Sequence, residues 1–150
     1  MKIKLAISNE RYDDIKKMLT DYGIEIDDDA ELVLSERNRF LDTLVVKDAV
    51  ANERIVLPVN EIAYIETYGH TVEVHTKDKT YQAMDRLYKI VDLLDPNKFL
   101  RISNSIVIAV EQVKRITPTL SMKFILTMSD GKKVDVTRSY YYIFKERFGI

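Results

Sequence analysis

The residues able to do chemistry in this chain are few and differently placed. His70 and His75 are the two histidines and the natural general bases. Five residues apart in continuous β structure, they fall on opposite faces of a strand, so they are not expected to share a metal ion or a substrate. Ser103 and Ser105 lack a base and carboxylate at a spacing that would make either a nucleophile, and no Gly-x-Ser-x-Gly elbow occurs. Asp27-Asp28-Asp29 lacks the spacing of a calcium loop and reads as a solvated turn. Gly69 and Gly131 stand singly in turns, so no glycine-rich phosphate cradle is present. No enzyme, cofactor or metal site is therefore expected.

Three short loops suit recognition better. Tyr68-Gly69-His70, Ser103-Asn104-Ser105 and Thr137-Arg138-Ser139 each offer a side chain that can reach a base edge or a phosphate. Arginine pairs bidentately with guanine, asparagine with adenine, and histidine can donate or accept. Singly, each also has a plain structural reading: His70 as an exposed turn residue, Asn104 as a strand-entry cap, Arg138 as a helix-start contact. Together, with Lys98, Arg101, Lys114, Arg115, Lys132 and Lys133, they form a set suited to a polyanion.

The elements that must position them follow from the apolar pattern. Residues 106–110 (IVIAV) are an unbroken β-branched run, the signature of a strand covered on both faces. Arg101, Ser103, Asn104 and Ser105 precede it, so a stiff strand holds a polar cluster at its edge. Residues 61–66 and 71–76 read as strands around Tyr68-Gly69-His70, with Val72 and Val74 on one face and Glu73 and His75 on the other. Residues 44–47, 54–59 and 80–83 read as further strands. A helix over 85–94 shows Met84, Leu87, Tyr88, Val91 and Leu94 as its apolar stripe, stopped by Asp95-Pro96-Asn97. Residues 123–128 and 133–137 pair through Asp130-Gly131, and a final helix starting at Arg138 supplies Tyr140, Tyr141, Phe144 and Phe148. Upstream, residues 1–7 and 31–35 read as strands around a helix capped by Ser8 or Asn9, stopped at Gly23, with Tyr12, Ile15, Leu19 and Tyr22 on one face. The expected domains are a small acidic βαβ extension over 1–43 and a mainly β, α+β domain over 44–150.

Bulk properties agree with binding rather than catalysis. The chain has 150 residues, no Cys and a net charge of −1. That balance hides a division: residues 1–45 hold 7 Lys and Arg against 11 Asp and Glu, whereas residues 98–138 hold 8 against 3. The basic stretch reads either as a solvated face or as a surface whose cations displace counterions from phosphates. No apolar run is long enough to span a bilayer and no signal peptide is evident, so a cytoplasmic, membrane-free setting is expected.

At the three loops the sequence resembles the LytTR DNA-binding domain family. Residues 53–81 (ERIVLPVNEIAYIETYGHTVEVHTKDKTY) are similar to its opening strands. Residues 87–116 (LYKIVDLLDPNKFLRISNSIVIAVEQVKRI) resemble its helix and its Phe-x-Arg-x-x-x-Ser segment, and residues 126–148 (LTMSDGKKVDVTRSYYYIFKERF) its Asp-Gly hairpin, (Ser/Thr)-Arg step and last helix. The resemblance implies an elongated β-rich fold with two helices, in which loops enter successive major grooves of double-stranded DNA. It places base contacts on His70, Asn104 and Arg138, and phosphate contacts on Arg101, Ser103, Ser105, Lys132, Lys133 and Ser139. It implies a bacterial, response-regulator-like transcription factor without a receiver domain. The acidic extension over 1–43, whose apolar helix face is too small to be stable unsupported, is expected to mediate dimerisation or ligand control, and a homodimer would suit repeated half-sites. Two positions depart from the family: Ser103 stands for His, which removes a phosphate or base contact, and Ala109 stands for Asn, which removes a structural hydrogen bond. The competing expectation is a β-rich protein-interaction or small-molecule sensor module that does not bind DNA.

Overall fold

A computed structural model describes residues 1–36 and 40–150, which divide into two compact units, Met1–Arg39 and Phe40–Ile150. The first unit contains β1 (Lys2–Ala6), α1 (Asn9–Asp21), β2 (Glu25–Ile26) and β3 (Leu32–Ser35). Its sheet order is β2-β1-β3, all parallel, as a βαβ unit requires. Ile3, Leu5 and Ile7 are buried against Tyr12, Ile15 and Leu19 of α1. Tyr22 does not join them; it is exposed just past the helix end. Ser8 is the N-cap, yet its hydroxyl donates to Glu36 instead of accepting from the helix. Asp27 closes the acidic turn by accepting from the Asp29 amide. Strand β3 leaves Leu32, Val33 and Leu34 exposed.

The second unit is built from twelve elements: β4 (Thr43–Asp48), β5 (Glu53–Pro58), β6 (Ile62–Tyr68), β7 (Thr71–Thr76), β8 (Thr80–Ala83), α2 (Leu87–Leu93), β9 (Phe99–Arg101), β10 (Ile106–Ala109), β11 (Val113–Pro118), β12 (Phe124–Met128), β13 (Lys133–Val136) and α3 (Tyr141–Phe148). Seven strands form an antiparallel sheet in the order β5-β4-β8-β7-β6-β10-β9, and β11-β12-β13 form a separate antiparallel meander. The fold class is α+β, dominated by strands.

The middle of the large sheet, at β6 and β10, is covered on both faces. Ile65, Val74, Val107 and Ala109 face one core, closed by Leu87, Ile90 and Leu94 around α2. Tyr64, Ile106 and Ile108 face a second core with Phe124, Leu126 and Met128 of β12, Val134 and Val136 of β13, and Phe144 of α3. Period-two alternation in β6 and β10 thus delivers apolar side chains to both sides. The unbroken run ends as a strand at Ala109; Val110 opens a 3-10 turn. The α2 stripe is shifted from the sequence expectation: Ile90 is buried, whereas Met84 and Tyr88 are exposed. Gly131 takes φ +82° in the β12–β13 turn, a conformation costly for a residue with a Cβ. Arg147 of α3 donates to the carbonyls of Pro96 and Asn97, tying the last helix to the α2–β9 connection.

Leu126 is fully buried in the second core. Leu126→Ala is expected to lower unfolding free energy by about 2–5 kcal/mol. A reduced urea midpoint at unchanged slope would check this.

Candidate nucleic-acid interface

The three loops lie side by side because backbone hydrogen bonds join their stems. Near the end of β6, the Thr67 amide donates to Ser105 O at 2.8 Å, linking the His70 turn to the Asn104 loop. The Thr137 amide donates to Ile102 O at 3.0 Å, linking the Asn104 loop to the Arg138 loop. A side-chain bond adds to the second link: Tyr140 Oη donates to Asn104 Oδ1 at 3.2 Å. The β6–β7 turn is closed by Gly69 at φ +54°, and His70 stands exposed beside it. Asn104, Arg138 and Ser139 are exposed as well.

The Asn104 loop is internally braced. Arg101 Nε donates to Ser103 O at 3.1 Å and its Nη2 to Asn104 O at 2.7 Å, so one guanidinium ties down two consecutive carbonyls. Ser103 is 6% exposed; its hydroxyl accepts from the Ser105 amide at 3.2 Å and lies 3.3 Å from Ser105 Oγ. Its hydroxyl is thus turned into the loop, while Ser105 is half-buried beside it. At Ala109, where a hydrogen-bonding side chain was expected to be missed, the ladder pairing with Phe99 persists and the Val110 amide donates to Lys98 O at 2.9 Å. Backbone pairing alone holds that geometry.

His70, Asn104 and Arg101 line one open cleft together with Arg86, Tyr88 and Thr67. Sequence reasoning passed over Arg86 and Tyr88. Tyr88 was placed on the apolar stripe of α2, but the helix is rotated so that Ile90 takes the core position. The signal that could have found them is a cation and an aromatic two residues apart at the start of a short helix.

Lys132 and Lys133 are not brought to this edge. They are exposed at the β12–β13 turn, the opposite end of β13 from Arg138, and a six-residue extended separation spans up to about 20 Å. The turn is held by Asp130, whose carboxylate accepts from the Lys132 amide and from Tyr64 Oη, both at 3.0 Å. Burial and that hydrogen bond to Asp130 both raise the Tyr64 phenol pKa, keeping it protonated as a donor. Lys132 and Lys133 thus stand apart from the loops that carry Arg101 and Arg138.

His75 is not a partner of His70. It is 4% exposed, stacks on Tyr64 with ring centroids 4.2 Å apart, and meets the Thr80 hydroxyl through Nδ1 at 3.1 Å. Burial pushes its pKa down, while the carboxylates of Glu66 and Glu73 oppose that shift.

A β-rich domain that aligns exposed polar loops and cations along one edge has the form of a nucleic-acid-binding module. The chain belongs to the LytTr DNA-binding domain family, whose model matches residues 52–149. Among its relatives, the sensory transduction protein LytT of Bacillus subtilis (strain 168) is 29% identical over 110 residues, covering 73% of this chain and 46% of LytT. The transcriptional regulatory protein LytR of Staphylococcus aureus (strain bovine RF122 / ET3-1) is 26% identical over 117 residues, covering 71% of this chain and 48% of LytR. The chain thus spans about half the length of the curated relatives it matches. A solved LytTr DNA-binding domain from Bacillus cereus superposes with a TM-score of 0.68 at 24% identity, over 73% of this chain and 99% of that one. That likeness speaks for the fold. No helix among the described residues is long and apolar enough to cross a membrane.

The bracing by Arg101 is directly testable. Arg101→Ala is expected to cost about 1–2 kcal/mol of stability through the lost charged hydrogen bonds. It should also speed amide exchange within residues 102–105, and Arg101→Lys should not restore protection because lysine lacks the planar fork.

Proposed function

We propose that this chain is a sequence-specific, double-stranded DNA-binding transcription regulator that reads major grooves through loops. The observation that supports this most is the stitching of the three loops by Thr67–Ser105, Thr137–Ile102 and Tyr140–Asn104, with His70, Asn104 and Arg138 exposed at their tips. Base-edge recognition needs donors and acceptors held in fixed register, and a braced loop supplies that with little ordering cost on binding. In this reading Arg138 pairs with a guanine, Asn104 with an adenine, and His70 with either kind of edge.

Phosphate contacts come from Arg101, Ser105 and Ser139 beside the tips, and from Lys132 and Lys133 at the far turn. The separation of Lys132 and Lys133 from the tips suits a duplex whose backbone crosses the domain more than once. Ser103 contributes by holding Ser105. The protein acts in the cytoplasm of a bacterium. The acidic unit over residues 1–43 joins two copies, with β3 at the sheet edge among the described residues and Leu32, Val33 and Leu34 exposed on it. A dimer matches a target of two repeated half-sites separated by whole turns of DNA.

The roles of tip and patch are separable. Arg138→Ala or Asn104→Ala is expected to cost about 1–3 kcal/mol on the preferred site and blur selection at one base position, whereas Lys132→Ala weakens all sequences alike and lowers the salt slope by about one. Selection from random duplexes followed by titration at several salt concentrations measures both; equal loss by Arg138→Ala on preferred and random DNA refutes base reading. Light scattering on the full chain, with and without a two-half-site duplex, is expected to give a dimer mass. A monomer in both conditions rules out the pairing role of residues 1–43.

A further inference from the structure

The antiparallel pairing of β6 with β7 sets Glu66 directly opposite Glu73, and sets Tyr64 opposite His75 one pair further along the same face. Like charges facing each other across a ladder are destabilising. Here a buried ring nitrogen completes a triangle with them. His75 Nε2 lies 3.5 Å from Glu66 Oε2 and 3.3 Å from Glu73 Oε2. It makes no hydrogen bond to either, since the geometry is wrong for an N–H donor. Among the described residues, no Lys or Arg forms an ion pair with Glu66 or Glu73. Lys132 is near enough to perturb His75 but does not close on the carboxylates, and Asp130 beside it is engaged by Tyr64 Oη.

We propose that Glu66, Glu73 and His75 Nε2 form a binding site for one divalent transition-metal ion, zinc by donor set and spacing. One imidazole nitrogen and two carboxylate oxygens suit zinc better than the all-oxygen shells of calcium or magnesium. Zinc bonds of about 2.0–2.2 Å in a tetrahedron imply ligand–ligand edges of about 3.4 Å. The two His75 edges have that length, and all three donor atoms lie within 4.8 Å of one another. The outer groups fit as well. Thr80 Oγ1 sits 3.1 Å from Nδ1, where it can accept the Nδ1 proton of the tautomer whose Nε2 is free to bind a metal. Stacking on Tyr64 holds the ring plane. The side chain of Glu73 is 35% exposed, which gives an ion a route in and leaves room for water as a fourth ligand.

This site requires only the hairpin geometry and stands whether or not the loops read DNA. An ion there clamps β6 to β7 close to the turn that carries His70.

The test uses the full chain, freed of any affinity tag and treated with a chelator. Calorimetric titration with zinc chloride is expected to show one ion per chain, with a rise in melting temperature. Cobalt(II) in its place should give the intense visible absorption of a tetrahedral site. Glu66→Gln and Glu73→Gln should each weaken zinc binding by about tenfold or more. In the metal-free state Glu73→Gln should melt no lower than wild type, since it relieves the like-charge pair, and this also shows that the variant folds. Absence of stoichiometric zinc binding by the wild type, or undiminished binding in both variants, overturns the proposal. So does a metal-free Glu73→Gln that melts below wild type, which would make the carboxylate a structural hydrogen-bonding group.

Discussion

The structure depends on two strands that have no solvent face. β6 and β10 are buried by α2 and its neighbours on one side, and by the β11–β13 meander and α3 on the other. Such strands are strongly held but poorly registered by hydrophobicity alone. Where both faces are apolar, sliding by one residue exchanges one greasy side chain for another, and the usual inside–outside penalty is weak. Polar contacts at the strand ends must supply the missing information. Tyr64 Oη on Asp130, Thr67 on Ser105 and the fork of Arg101 on the carbonyls of Ser103 and Asn104 are placed to do this. Each forms only in one alignment.

The same contacts decide where the loops stand. A register error in β10 would carry Asn104 away from Tyr140 and unlink Ile102 from Thr137. Registration of the sheet and alignment of the loop edge are therefore one event. The proposed reading of that edge asks of it only what its geometry offers: short polar side chains on stems joined by hydrogen bonds.

Much of this was legible beforehand. Val72 and Val74 alternate, residues 106–109 are uninterrupted, and Asp130-Gly131 punctuates a hairpin, so strands and turns could be placed from residue types. The loops carrying His70, Asn104 and Arg138 could be named by composition. What escaped was set by packing across the chain. The rotation of α2 that buries Ile90 and frees Tyr88 depends on a seven-residue helix, too short for periodicity to phase it. The inward turn of Ser103 depends on its neighbour two positions on. The distance of Lys132 from Arg138 follows from β13 lying straight between them, which charge counting along the chain ignores. The surroundings of His75 arise from strand pairing with Glu66 and Tyr64, whereas spacing arguments compared it only with His70.

The loop tips and the two cores share almost no atoms. His70, Asn104 and Arg138 protrude from a frame whose cohesion resides in Val107, Ile108, Leu126 and Phe144. Exchange of an exposed side chain away from such a frame shifts stability by only about half a kcal/mol. In the proposed reading, base preference can therefore change through tip substitutions that leave the packed frame intact.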